Sequence, residues 1–292
     1  MSAVRELPPV SIRRVIDAEM LCRESPCDYF ITLGSFWPNS KSSYESRIVK
    51  AFKECCPVEK YEPHISDLCG FYAKQIMSTV KDTRFDWVMR VLSSGETKPE
   101  SNRPQALLEG IISKQTKAES ITHLIFKSNA RPPMRSVEHL SGPEMLCNRI
   151  QYVAQDLFIK PAKLGGRVLL IDDISNTGAS MRVYAHALKA YAGVDAVSCV
   201  NLAATRFRKG KDGYGMLQLD VSALSDKRSL AQVWIDKADI FHVKKDCAGI
   251  QSSLACELRF LAEGKAQPCE VCIGKEKIQS KWWQRLFGRD GR

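Results

Sequence analysis

An α/β fold on a doubly wound parallel sheet is what this sequence predicts, and three observations predict it. From about residue 84 to residue 206, strand-like apolar runs alternate with helical patterns. The longest apolar runs are strand-sized, well short of the roughly 18 residues that a membrane span needs. One run, "RVLLIDDISNTGAS", goes from four apolar residues (Val168 to Ile171) into paired acids and then a small polar loop that enters a helix.

Taken in order, residues 1–83 read as a mostly helical region. "YESRIVKAFKECC" sets Ile48, Phe52 and Cys55 on one face, and "DLCGFYAKQIMSTV" does the same with Leu68, Tyr72 and Ile76. The α/β core is expected over 84–206. "FDWVMRVLSS" has the β-branched, apolar character of a buried strand. The turn-rich "GETKPESNRP" follows, then "QALLEGIISK" as a helix and "THLIFKS" as a further strand. A long polar loop, "NARPPMRSVEHLSGPE", and a short apolar segment at Val153 to Ile159 lead into the acid-bearing strand. A helix over about Ala179 to Ala192 places Met181, Ala185, Leu188 and Tyr191 on one face, and "DAVSCVNLAATR" supplies another strand. Residues 207–292 form a C-terminal extension, in which "YGMLQLDVSAL" and "ADIFHVKK" are strand candidates.

Composition narrows the function classes. A chain of 292 residues with 44% hydrophobic and 26% charged residues is globular and needs no disulfide staples. No transmembrane segment is visible, and "MSAVRELPPVSIRRVID" lacks the apolar core of a secretory signal. A cytoplasmic protein is therefore expected. An odd count of 11 cysteines then implies reduced thiols, with a metal site as a candidate use. The formal net charge of +10 suits an anionic small molecule as well as a nucleic acid, and also an ordinary solvated surface.

In an open α/β sheet, ligands bind beyond the carboxyl ends of the strands, where Asp172 and Asp173 are expected. Two adjacent carboxylates can accept hydrogen bonds from the vicinal hydroxyls of a ribose, and can help hold a divalent metal. Asn176, Thr177, Gly178, Ala179 and Ser180 then enter a helix, so backbone N–H groups and the helix dipole face an anion. Gly178 permits close approach, while Thr177 and Ser180 add hydroxyl donors. Diol site and phosphate site together match a ribose 5-phosphate. A plain strand-to-helix turn with one capping Asp accounts for one acid, but not for the pair with the Thr-Gly that follows.

This stretch resembles the phosphoribosyl-pyrophosphate motif of the type I phosphoribosyltransferases over all 13 positions from Val168 to Ser180. The resemblance implies that fold, with Asp172 and Asp173 on the ribose hydroxyls and Mg²⁺, and Asn176 to Ser180 on the 5-phosphate. It further implies a pyrophosphate-gripping loop at Ser93, Ser94, Gly95 and Glu96. "NRPQALLEGI", with Arg103 and Gln105, looks like a segment of the ComF group, as does the basic stretch "RPPMRSVEHLSGPEMLCNRIQYVAQDLF". The activity implied is transfer of phosphoribose to a nitrogenous acceptor with release of pyrophosphate. Mg²⁺ and cations would stabilise the leaving group as an oxocarbenium-like ribose forms. Lys98, Arg103, Lys127, Arg131 and Arg135 are the candidate cations, with Arg103 and Arg131 foremost.

One departure bears on the chemistry. In 6-oxopurine salvage enzymes, the position of Asn176 is an Asp that handles the base proton, and an amide cannot act as a general base. A non-catalytic nucleotide or phosphoribosyl-pyrophosphate sensor on the same fold is the alternative. ComF-type proteins are associated with DNA uptake, and other lineages with bacterial defence, so this reading carries a nucleic-acid or protein partner.

The extension adds two features. "CEVC" gives Cys269 and Cys272 the spacing of a zinc knuckle; Cys247 and Cys256 can complete a four-cysteine set, with His242 as an alternative ligand. Unliganded thiols or a redox pair are the other reading. In the tail, Lys277, Lys281, Arg285 and Arg289 recur every four residues beside Ile278, Trp282 and Leu286, an amphipathic pattern. It suits a protein or nucleic-acid partner, an anionic membrane surface, or the protein's own core. An oligomer or complex is expected.

Overall fold

The computed structural model describes residues 7–36, 44–62, 64–134, 137 and 145–205, and in the extension 232–235, 240–242, 247–249, 257–260, 267–269 and 271. In chain order the elements before the sheet's centre are β1 (Val10–Ser11), α1 (Ala18–Arg23), β2 (Tyr29–Phe36), α2 (Tyr44–Glu54) and α3 (His64–Thr79). Then come β3 (Trp87–Arg90), α4 (Pro104–Thr116), β4 (Glu119–Ser120), β5 (Ile125–Lys127), α5 (Met145–Ala154) and β6 (Leu157–Ile159). The core closes with β7 (Arg167–Ser175), α6 (Ala179–Ala187), a π-helical turn at Leu188–Ala192, and β8 (Ala196–Thr205).

Five strands form one parallel sheet in the order β2-β8-β7-β3-β4. Strand alternation sorts its side chains onto two faces. On one, Leu33, Val88, Leu169, Ile171 and Val200 pack with Phe52, Tyr72 and Ile76 of α2 and α3 and with Leu108 and Ile112 of α4. On the other, Met89, Val168, Leu170, Val197 and Cys199 pack with Leu21 of α1, Ile150 and Val153 of α5, and Met181, Tyr184 and Leu188 after β7. Helices thus cover both faces of a parallel sheet, which explains why β7 and β8 read as nearly continuous apolar runs.

The helix after β3 packs on one face and the helix after β7 on the other. The chain therefore leaves these neighbouring strands in opposite directions. That is a topological switch point, and it opens a crevice at the carboxyl ends of β3 and β7.

Two expectations are corrected, and the mostly helical region 1–83 holds a strand beside its helices: "YFITLGSF" is β2, an edge strand paired in parallel with β8 along its length. Its β-branched and aromatic residues favour a pleated surface, but the partner that makes it a strand lies far along the chain. "THLIFKS" does not extend the main sheet. Its residues form a turn of 3-10 helix and then β5, which joins β1 and β6 in a separate antiparallel sheet of order β1-β6-β5. Nor are all thiols reduced, since the packing of α1 on α5 brings Cys22 and Cys147 into a disulfide.

In the extension, β9 (Gln232–Ile235), β10 (Ile240–His242), β11 (Glu257–Phe260) and β12 (Gln267–Pro268) make a four-stranded sheet of order β11-β9-β10-β12. "YGMLQLDVSAL", the amphipathic tail, Arg135, Cys256 and Cys272 lie outside the described residues. Among the described residues no helix is long and apolar enough to cross a membrane.

Candidate functional site

Asp172 and Asp173 sit inside β7 rather than beyond it, and the two sides of the strand differ. Toward β3 the ladder ends where the Val91 N–H donates to Ile171 O, whereas toward β8 it runs on to Ser175. The backbone at the acids is thereby paired with β8 on one side and leaves the β3 ladder on the other. Adjacent residues of a strand face opposite ways. Asp173 is buried on the α2 and α4 face: its Oδ2 accepts from Gln105 Nε2 at 2.9 Å and lies 2.9 Å from Lys53 Nζ. Asp172, half-buried on the α6 face, accepts only the Asp173 N–H at 2.9 Å among the described residues, so one carboxylate oxygen is uncommitted. Burial, and then the neighbouring Asp173 charge, push the Asp172 carboxyl up to about 8 against the relief offered by Lys53.

Asn201 lies directly across from Asp172 in the β8 ladder. It is fully buried, and neither atom of its amide has a partner among the described residues. An unsatisfied buried amide beside a half-buried carboxylate is a costly arrangement that a ligand or ordered water would relieve.

After β7 the chain turns through Asn176 and Thr177 to Gly178, which caps α6 in the left-handed conformation at φ 78°. The positive φ favours glycine, and a Cβ there would also stand 3.2 Å from the Phe30 ring, which would have to shift slightly. The cap offers no side-chain acceptor to the helix's first turn. The side chains of Asn176, Thr177 and Ser180 make no hydrogen bond with the described residues. The first turn of α6 therefore presents N–H groups and hydroxyls to the mouth of the crevice.

The facing loop follows β3. Here the fully buried Glu96 takes bidentate bonds from Arg90 at 2.9 and 2.6 Å and further bonds from the Ser93 and Glu100 N–H groups. Burial works to raise the Glu96 carboxyl, but the Arg90 bonds and charge outweigh it and hold it low. Arg90 Nε also lies 3.6 Å from Glu109 Oε2, and Glu109 accepts from Ser120 and Thr122. Lys127 Nζ draws the Ser93 and Ser94 carbonyls inward at 2.6 and 2.9 Å. With its carbonyls held inside, the loop leaves the Ser94 and Gly95 N–H groups without partners among the described residues. A Cβ at Gly95 would meet nothing within 4 Å, so the protein's own packing does not demand glycine there.

Several expected site residues make contacts within the protein. Glu96 braces the loop from inside. Arg103 bonds Glu100 at 2.7 Å and reaches Cys56 Sγ at 3.3 Å, rather than the acids. Arg131 donates to the Tyr152 and Val153 carbonyls over the Tyr152 ring, capping the last turn of α5, whose terminal carbonyls have no helical donor. Lys98 is exposed, and Lys127 is pushed down to about 8, by burial first and then by Arg131. Sequence reasoning missed Lys53, Arg90 and Asn201. Lys53 and Arg90 carry weak signals, a cation one residue off an apolar helix face and a charge inside the strand "WVMR".

No family model matches this sequence, and no curated protein does either. Among solved structures it is similar to a crystal structure of an adenine phosphoribosyltransferase, at 15% identity over 49% of this chain and 69% of that chain, with a TM-score of 0.29.

Proposed function

We propose that this protein binds 5-phosphoribosyl 1-pyrophosphate with Mg²⁺ in the crevice between β3 and β7. It then transfers the phosphoribosyl group to a nitrogenous acceptor, as a type I phosphoribosyltransferase-like enzyme. The supporting observation is the convergence of three complementary groups at one switch point: the Asp172–Asp173 pair, the open first turn of α6, and the outward N–H groups of Ser94 and Gly95. In this reading the 5-phosphate lies on the α6 turn with Thr177 and Ser180. The ribose hydroxyls donate to the carboxylates, and the pyrophosphate rests on the loop after β3. The uncommitted oxygen of Asp172 fits a divalent ion, and Mg²⁺ there would offset the charge of the pyrophosphate.

Transfer breaks the bond between the anomeric carbon and the pyrophosphate oxygen, whose electron pair leaves with pyrophosphate, and forms a carbon–nitrogen bond to the acceptor. Asn176 offers no base for the acceptor's proton. The acceptor must therefore arrive deprotonated or release its proton to solvent.

One observation favours a second reading, a sensor that binds the same ligand without transfer and acts with a nucleic-acid or protein partner. Arg103, Lys127 and Arg131 all make internal contacts, which leaves the departing pyrophosphate little cationic help. Calorimetric titration of phosphoribosyl pyrophosphate with Mg²⁺ tests the site, and binding lost in Asp172→Asn/Asp173→Asn is the expected result. No binding by the folded wild type refutes both readings. Pyrophosphate release with a panel of bases separates them: release supports transfer, and binding without release supports the sensor.

A further inference from the structure

The small sheet of the extension brings together a group that the crevice does not use. His242 ends β10, Cys247 follows it closely, and Cys269 follows β12, which pairs in parallel with β10. Parallel pairing delivers the ends of both strands to one side of the sheet. There the ligand atoms of His242, Cys247 and Cys269 all lie within 4.8 Å of one another. His242 is fully buried, and both cysteines are below a tenth exposed.

We propose that these three residues bind one structural Zn²⁺, and the sequence spacing of "CEVC" offers Cys272, outside the described residues, for the fourth position. The Cys247 and Cys269 sulfurs are 3.8 Å apart. That separation is about the edge of a tetrahedron with metal–sulfur bonds of roughly 2.3 Å, and nearly twice the roughly 2.05 Å of a disulfide. The Gly249 N–H donates to Cys247 Sγ at 3.3 Å, a bond that favours the thiolate a metal requires. A Cβ on Gly249 would stand 2.7 Å from Cys269 Sγ and 3.2 Å from the Val271 side chain. The turn after Cys247 is thus pressed against the second sulfur, and the chain after Cys269 has come back over that turn by Val271. Cys272 is the next residue and completes the two-residue spacing of "CEVC".

With His242 in the group, the proposed ligand set is one imidazole and three thiolates rather than the four thiolates of a four-cysteine set. The described strands of this sheet are no longer than four residues. Sheets this small commonly depend on a metal or disulfide for stability.

Metal analysis of the full-length, tag-free chain tests the site independently of the crevice. About one Zn²⁺ per chain is expected, and Co²⁺ substitution should give the intense visible bands of a tetrahedral site with a thiolate-to-cobalt charge-transfer band near the ultraviolet. Cys272→Ser should lower Zn²⁺ affinity more than tenfold, whereas Cys256→Ser should keep the full content. His242→Cys should retain the metal and raise the charge-transfer intensity by about a third, as three thiolates become four. A folded wild type without zinc and without a thiolate–cobalt band overturns the proposal. So does a Cys247–Cys269 disulfide found by peptide mass mapping, a cobalt spectrum unchanged in His242→Cys, or zinc lost in Cys256→Ser but kept in Cys272→Ser. The wild-type cobalt spectrum decides whether a thiolate-bound tetrahedral site exists even if a variant fails to fold.

Discussion

Replacing Asp172 by Asn should make the protein more stable and its ligand binding weaker, with the stability gain growing as pH rises. The Asp172 carboxyl is pushed up to about 8 by burial and by Asp173, from an ordinary 3.8. Between about pH 4 and pH 8 the folded state therefore holds a proton that the unfolded chain has lost. Stability falls as pH rises through this window and levels off above it. Each tenfold change in proton affinity corresponds to about 1.4 kcal/mol. Because Asp172 keeps contact with solvent, the charge should cost about 2 kcal/mol at pH 8 rather than the full sum. An amide at this position is neutral at every pH, and its oxygen can still accept the Asp173 N–H. Urea unfolding of wild type and variant at pH 5, 6, 7 and 8 is the assay. The curves should diverge toward alkaline pH until the variant is ahead by about 2 kcal/mol, or roughly 4–8 °C in Tm. Calorimetry on the same samples should show phosphoribosyl pyrophosphate binding weakened more than tenfold. A variant less stable at pH 8, or a stability gap equal at pH 5 and pH 8, refutes the reasoning.

Three further outcomes follow from the same geometry. Gly95→Ala, whose Cβ meets no neighbour, should leave the unfolding midpoint within about 0.5 kcal/mol of wild type. It should still weaken phosphoribosyl pyrophosphate binding at least tenfold, and unchanged affinity in calorimetry would remove this loop from the site. Asn201→Val removes two unpartnered amide atoms from a fully buried position and should be neutral or stabilising by up to about 1 kcal/mol. Weaker ligand binding in that variant would mark the amide as part of the site, whereas a clear loss of stability would mean that it already has a partner. Glu96→Gln strips Arg90 of its bidentate partner and should cost about 3 kcal/mol in denaturant unfolding; a loss below about 1 kcal/mol would mean that Glu109 suffices to hold the guanidinium.

What could be read from the sequence was whatever contiguous backbone builds. The strand cores of β3, β7 and β8 and the helices α4 and α6 follow from local periodicity. The turn from Asp173 to Ser180 is a single run of chain whose residue types announce their chemistry. Groups that each contribute one side chain from a distance were hidden. Lys53 reaches Asp173 from α2, and nothing in "KAFKECC" distinguishes it from a solvated lysine. Arg90 is tolerable in a buried strand only because Glu96 and Glu109 meet it there. β2 becomes a strand through a ladder to β8, a partner more than 160 residues away in sequence.

The same asymmetry explains why the contacts of the candidate cations could not be read from the sequence. An Arg near a phosphate motif is read as a ligand, yet a helix end with unmet carbonyls competes for it. Arg131 bonds the end of α5, and Arg103 bonds Glu100. The anion-binding capacity left at the crevice is then mostly backbone: the N–H groups of the loop after β3 and of the first turn of α6. Backbone donors are fixed in place by the fold and do not titrate. If the proposed ligand binds here, recognition of its phosphates should tolerate substitution of the surrounding basic side chains, such as Lys98, far better than substitution of Gly95 or Gly178.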